Sequence, residues 1–526
     1  MDYIIVQAGG KGTRLQYLTK NKPKALVPID NLPMLFHLFR KYPEKRYIII
    51  ADYKKEVLRE YLSVFAEVKY QIVDAVGTGT CSGIRQALEL IPDDKAFMLI
   101  WSDLILPEKF ELPEEYTDFC DEEQTISNIS GENSYDDAVG KEAYIGISKT
   151  FPCRWSYAEG RFKEESSYEH GVAGFFLFGD KGMLKDIPES GELVRWLQEQ
   201  NMKFKEVGIG GTREFGLLEE YQKLTKQKCR PFNRITVEHG SNGDILVKEA
   251  ADAQGEKLAK RECAWYEKVK ELQIPILPQI YDMNPLKMEL IKGKNIYECD
   301  LSHEAKRKIL EKLVRSLEQL HNSEHIAADS FSIKEAYFHK TFDRLAKIED
   351  LVPFAREREI VINGRKCRNI YYHKRELEKK LENLRCTEFS LIHGDCTFSN
   401  MMIRDNGEPV LIDPRGYFGF TEIYGDVRYD WAKMYYSIAG NYDRFNLKEF
   451  TLEIGDEPQQ GVKLEISSNH WEDMEEDFFE LTGADKQEIK LLHAVIWLSL
   501  TTYAWEDYDS ICGALYKGLY ELEEIL

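Results

Sequence analysis

The sequence predicts an α/β protein of two domains: an open, mostly parallel sheet with helices on both faces, then an α+β domain. In residues 1–110, β-rich runs such as "YIIV", "RYIIIAD" and "AFMLIWSD" alternate with helical patterns such as "KKEVLREYLSVF". This alternation is typical of parallel strands covered by helices. A fresh alternation, "RITVEHGSNGDILVKEA", begins only after the polar stretch "TKQKCRPFNR", and mostly helical sequence follows it. At 526 residues the chain also exceeds what one hydrophobic core usually supports.

The change of pattern places the domain boundary close to the polar stretch. We predict a first domain over residues 1–228 and a second over 229–526. The second divides into a β-rich lobe over about 229–293 and a helical lobe over about 294–526, joined near "MELIKG".

Composition excludes several classes of partner. The formal net charge is -21, from 70 Lys and Arg against 91 Asp and Glu, and no basic run interrupts the acidic excess. Binding to nucleic acid or to an anionic membrane is therefore disfavoured. No apolar run is long enough to span a membrane, and the first residues do not resemble a signal peptide. The ten cysteines contain no CxxC pair, which favours reduced thiols and a cytoplasmic location. Homo-oligomerisation is left open.

The first candidate site is the glycine-rich stretch "VQAGGKGTRL", which follows a predicted strand directly. Gly9, Gly10 and Gly12 allow a sharp turn whose N–H groups can contact a phosphate. A helix N-terminus just beyond would add the positive end of its dipole. Arg14 and Lys24 supply cations for a triphosphate and for leaving pyrophosphate.

A carboxylate and a second glycine-rich segment complete this site. Asp103 ends the strand "FMLIWSD", at the sheet edge where α/β proteins bind ligands. Its expected role is Mg²⁺ coordination, because this hard cation takes carboxylate oxygens. "GTGTCSG", which begins at Gly77, is suited to packing against a flat base.

The combination of GGxGTR, KPKAL and a strand-end aspartate resembles the nucleotide-sugar pyrophosphorylase family of nucleotidyltransferases, which have a Rossmann-like fold. The resemblance implies that the substrate's phosphate attacks the α-phosphate of an NTP and releases pyrophosphate. Lys24 would contact the α-phosphate, Gly77 would lie near the base and Asp103 would hold Mg²⁺. The residues that would hold the triphosphate are Gly9, Gly10, Gly12, Thr13 and Arg14.

One position departs from the family pattern. Family members usually carry a second Asp in a late "D-x-G-T" turn, whereas this chain has Ile209 there, in "VGIGGTREFG". Glu206 is the substitute we expect from the sequence.

The second candidate site is built around "LIHGDCTFSN" and "LIDPR". Phosphoryl transfer to a hydroxyl needs a carboxylate for the hydroxyl proton, oxygen ligands for Mg²⁺ and cations around the phosphates. Asp395 suits the first role, and Asn400 and Asp413 suit the second. Lys248, on the second strand of the predicted hairpin, can reach the phosphates, and Glu262 on the next helix can pair with it. "EHGSNGD", between the strands, is the expected phosphate-covering turn.

HGDxxxxN followed by IDP resembles the aminoglycoside phosphotransferase and choline kinase superfamily, small-molecule kinases with a protein-kinase-like fold. The resemblance implies ATP as phosphoryl donor, Asp395 as catalytic base and a hydroxyl acceptor such as an aminoglycoside, choline, ethanolamine, homoserine or a sugar. "YGDVRYDWAKMYYS" could form a pocket for a cationic substrate through Asp426 and Asp430, although its aromatic residues at helical spacing favour a core role.

The two reactions are consecutive, which predicts a bifunctional enzyme. The kinase would phosphorylate a small hydroxyl compound, most simply a sugar. The nucleotidyltransferase would then couple that phosphate to CTP or UTP, giving an activated donor for surface or capsule polysaccharide synthesis. A choline- or ethanolamine-type kinase with a CTP:phosphoalcohol cytidylyltransferase is the alternative. An antibiotic-modifying phosphotransferase with an accessory domain, and a scaffold with dead sites, are further alternatives.

Overall fold

The computed structural model describes residues 1–112, 142–224, 233–240, 243–292 and 295–526. The chain separates into two compact units, 1–225 and 226–526. The predicted domain boundary between 228 and 229 and the predicted lobe boundary between 293 and 294 both lie outside the described residues.

The first unit is built on a twisted sheet whose order, among the described strands, is β10-β9-β11-β6-β1-β4-β5, with β8 beside β11 and β12 beside β8. The run β6-β1-β4-β5 is parallel, as predicted, whereas β11 is antiparallel to its neighbours, so the whole sheet is mixed. The strands are β1 Tyr3–Gln7, β2 Pro28–Ile29, β3 Leu32–Pro33, β4 Arg46–Ala51, β5 Lys69–Asp74, β6 Phe97–Trp101, β7 Leu104–Ile105, β8 Ala143–Ser148, β9 Ser156–Ala158, β10 Arg161–Lys163, β11 Gly171–Phe178, β12 Lys205–Gly208 and β13 Arg213–Glu214.

Short amphipathic helices cover this sheet. Among the described residues, the helices of the first unit are α1 Met34–Lys41, α2 Lys55–Phe65, α3 Ile84–Glu89, α4 Leu193–Glu199 and α5 Leu218–Gln222. Strands β1, β4 and β6 are apolar along nearly their whole length because both faces of a parallel sheet are covered.

The strand order brings the predicted site residues to one edge. Strand β1 lies between β4 and β6, and Gln7 is in register with Ile50 on one side and Trp101 on the other. The loops after β1 and β6, which carry Gly9 and Asp103, therefore leave the sheet side by side. Ligands bind at this kind of position, beyond the carboxyl ends of strands where the strand order reverses.

The second unit begins with a four-stranded antiparallel sheet in the order β14-β15-β17-β16. Helix α6, Ala253–Glu271, follows β15, and the Asp252 side chain caps it by accepting the Gly255 N–H at 2.8 Å. The strands are β14 Asn233–Gly240, β15 Gly243–Ala250, β16 Ile280–Met283 and β17 Leu286–Glu289. The tip of the predicted phosphate-covering turn, residues 241–242, lies outside the described residues.

The remainder is mostly helical, with three small sheets. The helices are α7 His303–His321, α8 Ser330–Lys334, α9 Lys340–Ile348, α10 Ile370–Glu382, α11 Val427–Ile438, α12 Tyr442–Asn446, α13 Glu475–Thr482, α14 Lys486–Leu500 and α15 Tyr508–Leu522. The strands are β18 His325–Ala327, β19 Glu359–Ile362, β20 Arg365–Arg368, β21 Glu388–Leu391, β22 Met401–Ile403, β23 Pro409–Leu411, β24 Tyr424–Gly425, β25 Phe450–Ile454 and β26 Val462–Ile466. In the described part of the chain, none of the helices combines the length and the apolar character that crossing a bilayer requires.

Helix α14 is the buried centre of this helical region, and it contains a histidine that must stay neutral. The side chain of His493 is 1% exposed, and its Nε2 accepts the indole N–H of Trp497 at 2.9 Å. An indole nitrogen only donates, so this bond requires an unprotonated Nε2. Burial lowers the pKa of His493 from 6.5 to about 4.

The contribution of His493 to the stability of the second unit is therefore expected to fall in mild acid. Between pH 6.5 and about 4 the unfolded chain binds a proton at His493 that the folded chain does not, so stability is full above this window and falls as pH falls through it. Over this pH window the contribution of His493 to the free energy of unfolding changes by about 3 kcal/mol. Denaturant unfolding from pH 7 to 4 should show it. His493→Gln, whose amide oxygen can still accept from Trp497, should flatten the pH dependence. His339→Gln, at an exposed histidine, should leave it unchanged, and equal slopes in all three proteins would contradict the prediction.

Candidate active sites

The glycine-rich loop of the first unit follows β1 and is shaped by close packing. A Cβ on Gly9 would lie 2.7 Å from the Cβ of Asp52, so only glycine fits there. Gly12 has a φ of +63°, whereas the space around Gly10 is open. Thr13 and Arg14 are exposed, so the loop presents its backbone and one guanidinium to solvent beside the sheet edge. These are the groups that a phosphate-binding loop requires.

The helix that we predicted after this loop differs from an α-helix. Thr13–Thr19 form a 3₁₀ segment with non-helical backbone angles at Gln16. The backbone dipoles are thus not aligned over several turns, and the predicted dipole contribution is absent here. Cationic side chains must supply most of the positive charge.

Lys24 and Asp103 meet in this site. Lys24 Nζ donates to Asp103 Oδ2, and the two side chains are only 11% and 14% exposed. The pairing holds both groups at the carboxyl end of β6. It places one fixed cation beside one carboxylate, as a triphosphate with its metal ion requires.

A residue that sequence reasoning missed, Glu214, lies beside this pair. Strand β13 pairs with β7 so that Glu214 is opposite Leu104, and the Phe215 N–H donates to the Asp103 carbonyl at 3.3 Å. Burial and the charge of Asp103 raise the pKa of Glu214, while Lys24 and Arg14 act in the opposite direction. A Cβ placed on Gly216 would lie 2.3 Å from Glu214 Oε1 and 3.2 Å from Arg14 Nη2. Two carboxylates and two cations therefore share this edge.

The sequence-based substitute, Glu206, lies elsewhere. It is exposed on β12, opposite Ile145, and no contact among the described residues joins it to Asp103. Ile209, at the position of the family's second Asp, is fully buried and packs near Gly146. Glu214, five residues later, had one sequence signal: it directly follows "GGTR" in the same turn-and-strand segment.

The segment beginning at Gly77 is tied to the same edge. A Cβ on Gly77 would lie 1.9 Å from the Glu189 carbonyl oxygen, so close packing demands glycine there. Gln7, the last residue of β1, donates its side-chain amide to the Thr80 carbonyl at 2.7 Å. The segment predicted to face the base is thus held beside the strand that leads into the glycine-rich loop.

The second unit brings Lys248, Glu262 and Asp413 together. Lys248 Nζ donates to Glu262 Oε2 at 2.8 Å and to Asp413 Oδ1 at 2.6 Å. Although burial alone would lower it, the pKa of Lys248 lies above its usual value because two carboxylates hold the charge. Asp413 has a φ of +55°, and strained backbone of this kind persists where the surroundings fix a side chain. The predicted partner relation between Lys248 and Glu262 is present in the structure.

Asp395 lies on the loop after β21 with two partners of its own. Asn400 donates its side-chain amide to Asp395 Oδ2 at 3.0 Å, and Lys433 pairs with Asp395 Oδ1 at 2.9 Å. The first bond commits the amide nitrogen of Asn400 and leaves its oxygen as the ligand-type atom. The Asp395 side chain remains 36% exposed, so a substrate hydroxyl can approach it.

Buried Asp430 organises the backbone of this loop. It is fully buried and accepts the N–H groups of His393 at 2.8 Å and Gly394 at 2.6 Å, while His321 contacts it at 2.9 Å. Asp426, also buried, pairs with Arg428 at 2.7 Å. Both acids are therefore used inside the domain and do not form a pocket for a cation.

Both constellations fit a magnesium ion by the chemistry of their donors. Carboxylate oxygens of Asp103 and Glu214 would serve in the first unit, and oxygens of Asn400 and Asp413 in the second. Within the described ranges there is no cluster of three or more His, Cys, Asp or Glu side chains that could hold a metal. Sites with one or two protein carboxylates are the usual arrangement when substrate phosphates supply further Mg²⁺ ligands.

Comparison with known proteins gives separate matches for the two parts of the chain. The Nucleotidyl transferase family matches residues 3–135, and the Phosphotransferase enzyme family matches residues 232–449. The bifunctional protein GlmU of Methanococcus maripaludis is 34% identical over 114 residues, which are 21% of this chain and 26% of that protein. This chain thus spans about a quarter of the length of that relative.

A further curated relative and one solved structure also match this chain. The UTP–glucose-1-phosphate uridylyltransferase AglF of Haloferax volcanii is 32% identical over 106 residues, which are 19% of this chain and 43% of that protein. The crystal structure of HddC from Yersinia pseudotuberculosis is 18% identical, with a TM-score of 0.32 over 42% of this chain and 97% of that chain.

The two family matches confirm the predicted pairing of a nucleotidyltransferase with a small-molecule kinase. One part of the chain is therefore similar to the nucleotidyl transferase family, and another part is similar to the phosphotransferase enzyme family.

Proposed function

We propose that this protein is a bifunctional enzyme that phosphorylates a small hydroxyl compound with ATP and then couples the new phosphate to an NTP. The observation that carries the proposal is the presence of two separate constellations, Lys24–Asp103–Glu214 in one unit and Lys248–Asp413 with Asp395 in the other. Each has the charges that its reaction requires, and the product of one is the substrate of the other.

In the kinase step, Asp395 accepts the proton of the acceptor hydroxyl. The hydroxyl oxygen forms a bond to the γ-phosphorus of ATP while the bond to the β–γ bridging oxygen breaks, and ADP leaves. Lys248, fixed by Glu262, lies where it can bind the remaining phosphates. Magnesium held by Asn400 and Asp413 would neutralise the phosphate charge.

In the nucleotidyl transfer step, a phosphate oxygen of the phosphorylated compound attacks the α-phosphorus of the NTP. The bond between the α-phosphorus and its bridging oxygen to the β-phosphate breaks, and pyrophosphate leaves. The loop from Gly9 to Arg14 surrounds the triphosphate with N–H groups, and Lys24 balances the charge that develops at the α-phosphate. Magnesium held by Asp103 and Glu214 would add to that balance.

The acceptor that we favour is a sugar derivative, and the nucleotide is CTP or UTP. The name of the AglF relative, which specifies UTP and glucose 1-phosphate, supports this choice. A choline- or ethanolamine-type acceptor is the second candidate, but Asp426 and Asp430 are occupied inside the domain. We further propose a cytoplasmic enzyme whose activated product supplies surface or capsule polysaccharide synthesis, because both reactions consume cytoplasmic nucleotides.

A coupled assay tests the two-step proposal. The full chain is incubated with ATP, Mg²⁺ and a panel of sugars, sugar acids, sugar phosphates and amino alcohols, and ADP is measured. CTP, UTP, GTP and dTTP are then added separately and pyrophosphate is measured. We expect ADP with one class of acceptor, and pyrophosphate only after that acceptor has been phosphorylated. Pyrophosphate release that does not depend on the kinase product would contradict the proposed order.

The variant Glu214→Gln tests whether Glu214 is the second carboxylate, beside Asp103, that binds Mg²⁺ in the first unit. Because the amide is neutral, the Mg²⁺ concentration needed for half-maximal pyrophosphate release should rise about 10- to 100-fold. ADP formation should keep its wild-type Mg²⁺ dependence. Glu206→Gln, the matched control on β12, should behave like the wild type. If Glu206→Gln shifts the Mg²⁺ dependence and Glu214→Gln does not, the assignment is wrong.

A further inference from the structure

A small cavity of about 40 Å³ lies beside the catalytic loop of the second unit and is lined by cations and tyrosines. Its lining includes Lys340, Arg415, Tyr417 and Tyr429, together with one carboxylate, Glu335. A Cβ on Gly394, the residue before Asp395, would lie 2.8 Å from the Arg415 Cβ. Arg415, which lines the cavity, therefore packs against the loop that carries Asp395, and the charge of Asp395 acts on its guanidinium.

Arg415 is held in this cavity by phenols. Its Nη2 donates to the Tyr417 hydroxyl at 2.7 Å, and its Nη1 donates to the Tyr429 hydroxyl. Its Nε is buried and has no hydrogen-bond partner among the described residues. No described carboxylate lies within ion-pair distance of this guanidinium, which contrasts with Arg428, paired with both Asp426 and Glu488.

A second cation, Lys340, lines the same cavity, and the charge of Arg344 acts on it from one turn further along α9. Lys340 lies over the Tyr429 ring at 5.5 Å, and Arg344, one turn along α9, donates to the Ser499 carbonyl. In the described part of the chain, neither has a carboxylate within ion-pair distance. Burial lowers the pKa of Lys340 well below its usual value, and Arg415, Arg344 and Lys433 lower it further, while Glu335 opposes them.

The pKa of Tyr417, which lies beside these cations, is also changed by their positive charge. Although burial alone would raise it, the pKa of Tyr417 lies below its usual value because Arg415, Arg344 and Arg261 surround the ring. Lys340 and Arg415 are half-buried, and withdrawing cations from water without counter-ions is costly, so nearby acids normally compensate for it. Glu335 acts on Lys340 and Asp395 acts on Arg415, but Asp395 is already paired with Lys433. A bound anion would supply the missing charge.

We propose that this cavity binds an anionic group of the hydroxyl acceptor, a carboxylate or a phosphate, and holds it with Arg415 and Lys340 while the hydroxyl faces Asp395. The proposal rests on the kinase function proposed above and names its substrate class. It favours sugar acids, sugar phosphates and similar hydroxy anions over neutral sugars, and it excludes choline-type acceptors.

Matched acceptors test the charge requirement. ADP formation by the full chain is measured with gluconate and glucose 6-phosphate against glucose, with D-glycerate and glycerol 3-phosphate against glycerol, and with choline. We expect kcat/KM for the best anion to exceed that of its neutral counterpart by about 100-fold. The carboxylate and phosphate members of each set distinguish the two anionic groups. A neutral compound or choline with the highest kcat/KM would overturn the proposal while leaving the kinase function intact.

Variants on α9 test whether Lys340 binds the anionic group of the acceptor. Lys340→Gln should lower kcat/KM for the best anion 10- to 100-fold and leave the neutral counterpart nearly unchanged, and Lys340→Arg should restore most of the loss. Lys347→Gln, at an exposed lysine on the same helix, is the control and should match the wild type. Equal losses on anionic and neutral acceptors would indicate a purely structural role for Lys340 and would overturn the assignment.

A binding measurement separates failure of this proposal from failure of the kinase function. If no acceptor yields ADP, the melting temperature is measured with a non-hydrolysable ATP analogue and either inorganic phosphate or gluconate. A rise in the wild type and in Lys347→Gln, but not in Lys340→Gln, would support the anion site although the kinase proposal had failed. No anion-dependent rise, or an equal rise in all three proteins, would overturn the anion site itself.

Discussion

Asp395→Asn is expected to reduce ADP formation by about 10²- to 10⁴-fold, the contribution of a positioned general base. The amide has nearly the shape of the carboxylate, so the contact with Asn400 can persist, whereas the charge that pairs with Lys433 and accepts the hydroxyl proton is lost. ADP is measured at saturating ATP with the best acceptor. The loss should appear in kcat, since binding of ATP does not involve this carboxylate.

Two controls make this result specific. Asp405→Asn, at an exposed aspartate in the β22–β23 turn, should retain wild-type ADP formation. Pyrophosphate release from chemically supplied phosphorylated acceptor should be unchanged in Asp395→Asn, because that step belongs to the other unit. If a well-folded Asp395→Asn protein lost both activities, the two sites would not be independent.

Much of both sites could be predicted because the motifs depend on local backbone. Gly9 follows a buried apolar strand, and Asp103 follows another, so both must lie at the carboxyl edge of the sheet once the strands are parallel. In the same way, Asp395 and Asn400 lie five residues apart on one loop, and the structure joins their side chains at 3.0 Å. Short sequence distance is enough to set such contacts.

The residues that were missed are brought in by distant segments. Glu214 reaches Asp103 only because β13 pairs with β7, and no local pattern marks it as a partner of a residue more than one hundred positions earlier. Lys340 and Arg344 look like an ordinary charged helix face in the sequence. Only the fold, which places Lys340 on the lining of the cavity that Arg415 also lines, brings these cations together.

The helix predicted after the glycine-rich loop shows where prediction of local structure from the sequence fails. "TRLQYL" has acceptable helical residues, but Gln16 adopts a φ of 52° and the segment becomes 3₁₀. Leu15 and Leu18 are buried there in a small apolar cluster with Val27 and Phe215. Tertiary packing therefore decides the local conformation, and the sequence pattern alone does not contain that information.

Asp103→Asn is expected to have the opposite effect from Asp395→Asn. Pyrophosphate release from supplied phosphorylated acceptor and NTP should fall by about 10²- to 10⁴-fold, because the variant removes the proposed carboxylate ligand of Mg²⁺ and leaves buried Lys24 without its carboxylate partner. ADP formation should remain at the wild-type rate. Asp186→Asn, at an exposed aspartate in the same unit, is the matched control and should retain both activities.

Raising Mg²⁺ should restore part of the activity of Glu214→Gln, which keeps Asp103, but little of the activity of Asp103→Asn, whose loss also disturbs Lys24. Equal rescue of the two variants would mean that Lys24 does not depend on Asp103 for its position.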